Sequence, residues 1–433
     1  MRWIVALVAR FAAALLLGRM EVAGRDRLPM GRPVLLVANH FNGFVDPLVL
    51  TAALGRLPRF VAKDDLRRIP VVGVVLRLVG VVFVRRRRDD TGAASGLTVG
   101  AANDGAFVEC HRALVDGDTV AIFPEGTTHD RPRIDPLRTG AARIALGARA
   151  AGLTVVPVGL TFTDKIALRS SALVLVGEPI AVDGAIERGA GPDDAASVRA
   201  LTDAIDAGLR AVSLDFPDVE TALALEQAAH IALSDDDLPE PSLDARYRLA
   251  RQLGRAAEPA QRVVRNELGR YASLLNGLHL TDADVIHPTS PSRLLRSALG
   301  TAVLVAVLGS LVAATVLVNI WPTLLVAAAS LTVTTPVTKG TVRVLVGLVS
   351  FPTAWFTAGA LTADGLSRIS LVALTAAVGA LAAIWLVERA MALTHLLLRW
   401  RAQRERISTV DLALEVRANV VAAARSAVRT VEA

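Results

Sequence analysis

The chain has 433 residues, of which 53% are hydrophobic and 20% charged. Its mean hydropathy of +0.47 exceeds that of a soluble globular chain, so the apolar excess must be concentrated in particular segments. A single cysteine, Cys110, excludes an internal disulfide framework, and 4% aromatic residues leave little material for stacking on nucleobases. The net charge of +6 comes from 47 basic residues, all Arg except Lys63, Lys165 and Lys339, and points to an anionic membrane surface and not to nucleic acid.

In chain order, Trp3 to Gly18 is apolar, interrupted by Arg10, too short to span a bilayer and without a small-residue cleavage site. It reads as an amphipathic membrane-surface helix within a segment 1–24, with a simply buried helix as the alternative. Residues 25–183 alternate short apolar runs with helical stretches. The runs Pro33 to Ala38, Thr119 to Phe123, Leu153 to Val158 and Leu173 to Val176 have the continuous hydrophobicity of buried parallel strands. Helices are expected over Thr98 to Asp116 and Thr139 to Ala151. The fold class is therefore α/β, with a central, mostly parallel sheet flanked by helices. Residues 184–292 read as a loop followed by helices, with Arg-rich faces between Arg246 and Arg270.

The C-terminal third carries the hydrophobic excess. Ala298 to Val318, Ile320 to Val337, Val344 to Thr362 and Ile369 to Val387 are each close to the ~20 residues that cross a bilayer as a helix. About four transmembrane helices are expected within 293–396, the first pair separated by a turn at Asn319-Ile320-Trp321-Pro322, then a cytoplasmic helical tail at 397–433. Four spans place Arg293 and Arg296, Lys339 and Arg343, and Arg399 to Arg406 on one side, which the distribution of positive charge makes cytoplasmic.

Three motifs follow apparent strands. Asn39-His40-Phe41-Asn42-Gly43-Phe44-Val45-Asp46-Pro47 sends a His out of a buried strand into a Gly-containing turn. An imidazole accepts a proton near neutral pH, and a following carboxylate fixes its tautomer and stabilises the cation. Asp46 before Pro47 is equally a good helix start. In the second motif, Gly80-Val81-Val82-Phe83-Val84 leads into Arg85 to Arg88, either a phosphate clamp or a solvated basic turn. The third, Phe123-Pro124-Glu125-Gly126-Thr127-Thr128-His129-Asp130, offers turn backbone N–H groups to an anion, or is an ordinary polar turn. A metal site drawn from His40, Asp46, His129 and Asp130 lacks a tight ligand cluster.

In order, Asn39-His40…Asp46, Gly80-x-x-Phe83-x-x-Arg86, Phe123-Pro124-Glu125-Gly126 and Val156-Pro157-Val158 resemble the motifs of the glycerolipid acyltransferase family. Ala62-Lys63, Ile69 to Gly73 and Gly177 to Ile180 are similar to its connecting and closing segments. The resemblance implies transfer of an acyl group from acyl-CoA or acyl carrier protein to a hydroxyl of a glycerol-phosphate or lysophospholipid acceptor. It makes His40 the general base and Asp46 its orienting partner, with Asn39, Arg86, Glu125, Gly126, Thr127 and Arg138 on the substrate side. It implies no metal and no tightly held cofactor. Two departures stand out. Five residues, not the family's usual four, separate His40 from Asp46, as in a branch of membrane-bound glycerol-3-phosphate and dihydroxyacetone-phosphate acyltransferases. Thr128 replaces the Arg usual after Glu-Gly-Thr, which weakens the case for a phosphate on the acceptor and leaves a phosphate-free lipid or glycolipid open. A catalytically inactive membrane-organising protein and a metal-dependent hydrolase are the competing classes.

Overall fold

The computed structural model describes residues 2–29, 31–68, 72–84, 96–165, 167–187, 189–234, 240–278, 280–286, 290–405 and 407–432. The chain divides into two compact units, one of residues 1–217 with 335–341, the other of 218–334 with 342–433.

The first unit is built in the order α1 (Arg2–Leu16), β1 (Leu17–Ala23), β2 (Val34–Ala38), α2 (Val45–Leu54), β3 (Arg59–Lys63), α3 (Val72–Leu78), β4 (Val82–Val84), α4 (Gly96–Val115) and β5 (Thr119–Ile122). It continues with α5 (Gly140–Ala148), β6 (Thr154–Phe162), β7 (Ser170–Val176), β8 (Ile180–Ala181), α6 (Asp183–Glu187) and α7 (Ala195–Val212). The sheet runs β1-β7-β6-β2-β5-β3-β4, with β8 paired to β6. Strands β6, β2, β5, β3 and β4 are parallel neighbours; β7 and β8 run antiparallel to β6, and β1 lies parallel to β7. Every residue of β2 is buried, as expected of a central strand covered on both faces. On one face Leu35 and Val37 pack with Cys110, Leu114, Val120, Ile144, Leu146, Val155, Ile205 and Leu209, drawn from β5, β6, α4, α5 and α7.

The sheet is larger at both ends than the sequence suggests. Residues 17–23, expected within an N-terminal helical segment 1–24, form β1 and pair with the outer edge of β7, which would otherwise be bare. Arg169 ties this junction down: its backbone N–H donates to Leu16 O at 2.7 Å, and its Nη1 donates to Leu17 O at 2.8 Å and to Ala14 O. Helix α1 packs on α2. Ala6, Ala9, Ala12 and Ala13 are its buried residues, while Trp3, Leu7 and Phe11, with Ile4 and Val8, form an exposed apolar stripe at helical spacing. At the other end the unit extends past residue 183, because α7 packs on β6. A Cβ on Gly159 would lie 2.0 Å from Val212 O, so glycine is what allows the end of α7 to approach the strand.

The second unit is helical: α8 (Val219–Leu233), α9 (Leu243–Arg255), α10 (Glu258–Leu278), α11 (Asp282–Ile286), α12 (Pro291–Leu331), α13 (Pro336–Thr362) from Val342 onward, α14 (Leu366–Glu405) and α15 (Ile407–Glu432). Within 397–433, expected as a helical tail, the chain forms the end of α14 and all of α15. Helix α15 packs into a bundle with α8, α9 and α10, burying Val420 and Ala424 alongside Tyr247 and Tyr271. Arg417 of α15 bonds Asp282 at 2.8 Å and the carbonyls of Ile231 and Ser234. Burial pushes the hydroxyls of Tyr247 and Tyr271 above their ordinary range, and the Asp282 charge adds to the shift at Tyr271.

Among the described residues three helices, not four, are long and apolar enough to cross a membrane: Pro291–Leu331, Thr338–Thr362 and Leu366–Arg401. The turn expected at Asn319 to Pro322 is absent, and α12 continues through Pro322 for 41 residues. Asn319 supplies the reason. Its amide donates to Thr315 O at 3.1 Å and to Ala376 O of α14 at 3.0 Å, and its Oδ1 accepts from Trp355 Nε1 of α13 at 2.8 Å. The polar residue that resembles a loop is therefore a joint between three helices. Four residues away, Thr315 lies against Gly379 of α14, where a Cβ would stand 2.0 Å from its hydroxyl. Once the first two apolar runs form one helix, Arg296 near its N-terminus and Lys339 beyond its C-terminus stand at opposite ends of its apolar stretch, and the charge pattern no longer assigns a side. The three helices identify a membrane protein.

Candidate active site

The candidate residues meet at the carboxyl ends of the parallel strands, where open α/β sheets build their sites. Strand β2 ends at Ala38 and delivers Asn39 and His40; its neighbour β5 ends at Ile122 and delivers Phe123, Pro124 and Glu125. The His40 ring stacks on Phe123 with centroids 4.2 Å apart and an 18° interplanar angle.

Asp46 lies in the first turn of α2 and is fully buried. Its Oδ2 accepts from the backbone N–H of Phe41 and of Asn42, each at 2.7 Å, and lies 2.9 Å from His40 Nδ1. The longer spacing is absorbed before the helix: Gly43 takes φ +34, and α2 begins only at Val45. A residue inserted within the helix would have rotated Asp46 by ~100°, off the His40 side. The contact fixes the tautomer, since Nδ1–H donates to the carboxylate. Nε2 is left with no partner among the described residues, on a side chain 17% exposed.

Glu125, expected on the substrate side, is engaged by protein groups. Its Oε1 accepts the His40 backbone N–H at 2.9 Å, and its Oε2 accepts from Asp135 N at 2.9 Å and from His129 Nε2 at 2.5 Å. His40 is thus held twice, by its ring through Asp46 and by its backbone through Glu125. Gly126 follows with φ +67, a left-handed conformation that suits glycine, and the Arg138 side chain crosses it, within 2.6 Å of where a Cβ would be. Arg138 N bonds Pro124 O at 2.9 Å, and its exposed guanidinium has no carboxylate partner among the described residues. Thr127 lies half-buried next along the turn.

Asn39, expected on the substrate side, bonds within the sheet. It is buried, and both ends of its amide are taken by Leu160 of β6, whose N–H and carbonyl lie at 2.7 and 2.9 Å. It pins the mouth of β2 to β6. Arg86, expected to contact a phosphate, lies outside the described residues.

Sequence reasoning did not anticipate the structural parts played by His129, Asp135 and Lys165. Lys165 Nζ sits 4.2 Å above the Phe41 ring and 3.3 Å from Asp130. Its signal was available: it is one of three lysines in an arginine-biased chain. Glu125, His129 and Asp135 bring ligand atoms within 4.8 Å of one another. They are the described residues best placed to hold a cation, but Glu125 already accepts three protein hydrogen bonds.

The sequence model of the family described as Acyltransferase matches residues 19–161, the stretch that contains this site. Residues 19–161 are thus similar to the acyltransferase family. Over 167 residues the chain is 34% identical to the lyso-ornithine lipid O-acyltransferase of Rhizobium meliloti (strain 1021), covering 39% of this chain and 50% of that one. It is 38% identical over 116 residues to glycerol-3-phosphate O-acyltransferase 2 of Saccharomyces cerevisiae, covering 26% of this chain and 16% of that one. It is 29% identical over 152 residues to the 1-acyl-sn-glycerol-3-phosphate acyltransferase of Borreliella burgdorferi, covering 35% and 55%. The chain thus spans about half the length of the two bacterial relatives. The family match lies within the first unit and ends before the second unit begins.

Proposed function

We propose that this chain is a membrane-bound O-acyltransferase that moves a fatty acyl group from acyl-CoA or acyl carrier protein to a lipid-precursor hydroxyl. The observation that carries this reading is His40, oriented through Nδ1 by a buried carboxylate and offering an unpartnered Nε2. Nε2 takes the acceptor hydroxyl's proton as that oxygen attacks the thioester carbonyl. The tetrahedral intermediate collapses with cleavage of the C–S bond, and the imidazolium returns the proton to the leaving thiolate. Asp46 stabilises the transient cation, so no protein nucleophile is needed.

Arg138, beside the Gly126 turn, is assigned to the acceptor's anionic group. The acceptor is glycerol 3-phosphate or lysophosphatidate in the first reading. A phosphate-free lyso-lipid is the second, favoured by Thr128 where the motif usually has Arg and by the relative named for a lyso-ornithine lipid. The exposed stripe of α1 is assigned to the membrane surface, where the lipid partner resides. The soluble thioester donor assigns the catalytic domain to the cytoplasmic face.

The test is thiol release from acyl-CoA and from acyl carrier protein by the full chain in detergent, with glycerol 3-phosphate, lysophosphatidate and lyso-ornithine lipid as separate acceptors. Release that depends on one acceptor, survives a chelator and is lost in His40→Ala is the expected result. A folded protein inactive with every combination overturns the assignment, and activity that a chelator abolishes moves it to the Glu125-His129-Asp135 cluster.

A further inference from the structure

The second unit contains a cationic cleft of about 520 Å³, lined by Arg293, Arg296 and Ser297 of α12 and by Arg389, His395 and Arg399 of α14. The two helices run antiparallel and pack along their length, as the contacts Asn319 to Ala376 and Gly300 to Arg389 show. Four guanidinium groups converge in this space. Arg399 is paired with the buried Asp284 at 3.3 Å. Arg293, Arg296 and Arg389 have no carboxylate partner among the described residues. The Arg389 guanidinium passes close to Gly300: a Cβ there would meet Nη2 at 3.4 Å, in van der Waals contact.

The height of the cleft along the helices identifies its surroundings. On α12 the charge-free run begins directly after Arg296 and Ser297; on α14 the apolar run Ile369 to Val387 ends two residues before Arg389. The cleft therefore opens where the membrane-crossing stretches stop, the level of lipid phosphates. Beside it Leu295, Leu299 and Val303 form an exposed apolar stripe along α12, and Met391 and Leu398 are exposed on α14. Three uncompensated guanidiniums in one cleft repel one another until an anion enters, and guanidinium matches phosphate oxygens bidentately. An occupant that satisfies both the cations and the neighbouring apolar stripe carries a phosphate and acyl chains together.

We propose that this cleft is a binding site for the phosphate headgroup of an anionic phospholipid, separate from the catalytic centre, with the acyl chains lying along α12. The site does not depend on the acyltransferase assignment, because nothing in it takes part in acyl transfer.

The experiment is native mass spectrometry of the delipidated full chain in neutral detergent, titrated with diacyl phosphatidylglycerol, diacyl phosphatidylcholine or inorganic phosphate. The wild type is compared with Arg296→Gln/Arg389→Gln, with the charge-keeping pair Arg296→Lys/Arg389→Lys, and with Gly300→Val, which fills the space beside Arg389 and removes no charge. Phosphatidylglycerol is expected to bind the wild type and to lose roughly tenfold or more in affinity in the Gln pair, as for lost charge-assisted bonds. The Lys pair should retain most of the binding, Gly300→Val should weaken it, and phosphatidylcholine should bind all forms alike. Equal phosphatidylglycerol binding by the wild type, the Gln pair and Gly300→Val overturns the proposal. So does competition by inorganic phosphate at concentrations comparable to the lipid, which would make the cleft a free-anion site. If the Gln pair does not fold, the comparison of wild type with Gly300→Val decides.

Discussion

Replacing Asp46 separates two jobs that one carboxylate performs. Oδ2 receives two backbone N–H groups and the His40 ring, and the residue is fully buried. Asp46→Ala strands the N–H groups of Phe41 and Asn42 away from water, at about 1–3 kcal/mol each, or about 2–6 kcal/mol together. The lower end is expected, because the cost of burying the carboxylate disappears with it. For a unit of this size, a loss of about 2 kcal/mol lowers the melting temperature by roughly 4–8 °C. Asp46→Asn keeps an oxygen for both N–H groups and removes only the charge. Its melting temperature should stay within a few degrees of wild type, while turnover falls about 10²–10⁴-fold, the range of a mispositioned general base. The assay pairs thermal unfolding in detergent with the rate of thiol release. An Ala variant that melts with the wild type would show that Asp46 does not organise the 41–44 loop, and an Asn variant with wild-type turnover would remove it from catalysis.

Three further outcomes follow from the same contacts. Arg417→Met leaves Asp282 without its guanidinium and frees the carbonyls of Ile231 and Ser234, so chemical denaturation should report a loss of about 3–5 kcal/mol; a loss under 1 kcal/mol would remove α15 as a clasp of the bundle. The Cys110 thiol is fully buried and pushed up to about 12, by desolvation first and Glu109 second, so maleimide labelling should require opening of the core; labelling at the rate of a free thiol in native protein would contradict its position. Burial holds His111 and His230 below the ordinary imidazole range, with the Arg246 charge adding to the shift at His230. The unfolded chain therefore binds their protons first as pH falls through about 6.5, and stability should decline between pH 7 and 5, by at most about 1.4 kcal/mol per pH unit per group. His111→Gln/His230→Gln should flatten that decline, and an unchanged slope would assign it to other groups.

The parts of the site that were legible in the sequence are those whose partners lie close in the chain. His40 and Asp46 share one loop, and Gly43 marked where the extra residue is taken up. The strands β2, β5, β6 and β7 announce themselves as continuous apolar runs because both faces are covered. Glu125 was legible as a residue of interest but not in its role, since its partners are backbone groups 85 and 10 residues away. The partner of Asn39 was hidden for the same reason: Leu160, 121 residues on, takes both ends of its amide. The strand β1 mixes Arg19 and Glu21 with apolar neighbours and owes its form to the exposed edge of β7. Asn319 and Pro322 read as a turn because, in an isolated segment, nothing discloses that Trp355 and Ala376 will satisfy the amide.

No linker separates α1 from β1. Leu16 ends the helix, Leu17 begins the strand, and Arg169 holds carbonyls on both sides of the junction. The helix is thus a rigid outrigger of the sheet, and its stripe of Trp3, Leu7 and Phe11 keeps a fixed angle to the strand ends that carry His40 and Glu125. A surface that captures the stripe sets the pitch and height of that edge in the same event, with no tether to search through. Three glycines inserted between Leu16 and Leu17 would uncouple the two: lipid adhesion should persist, while attack on membrane-embedded acceptors becomes sensitive to how the edge happens to face.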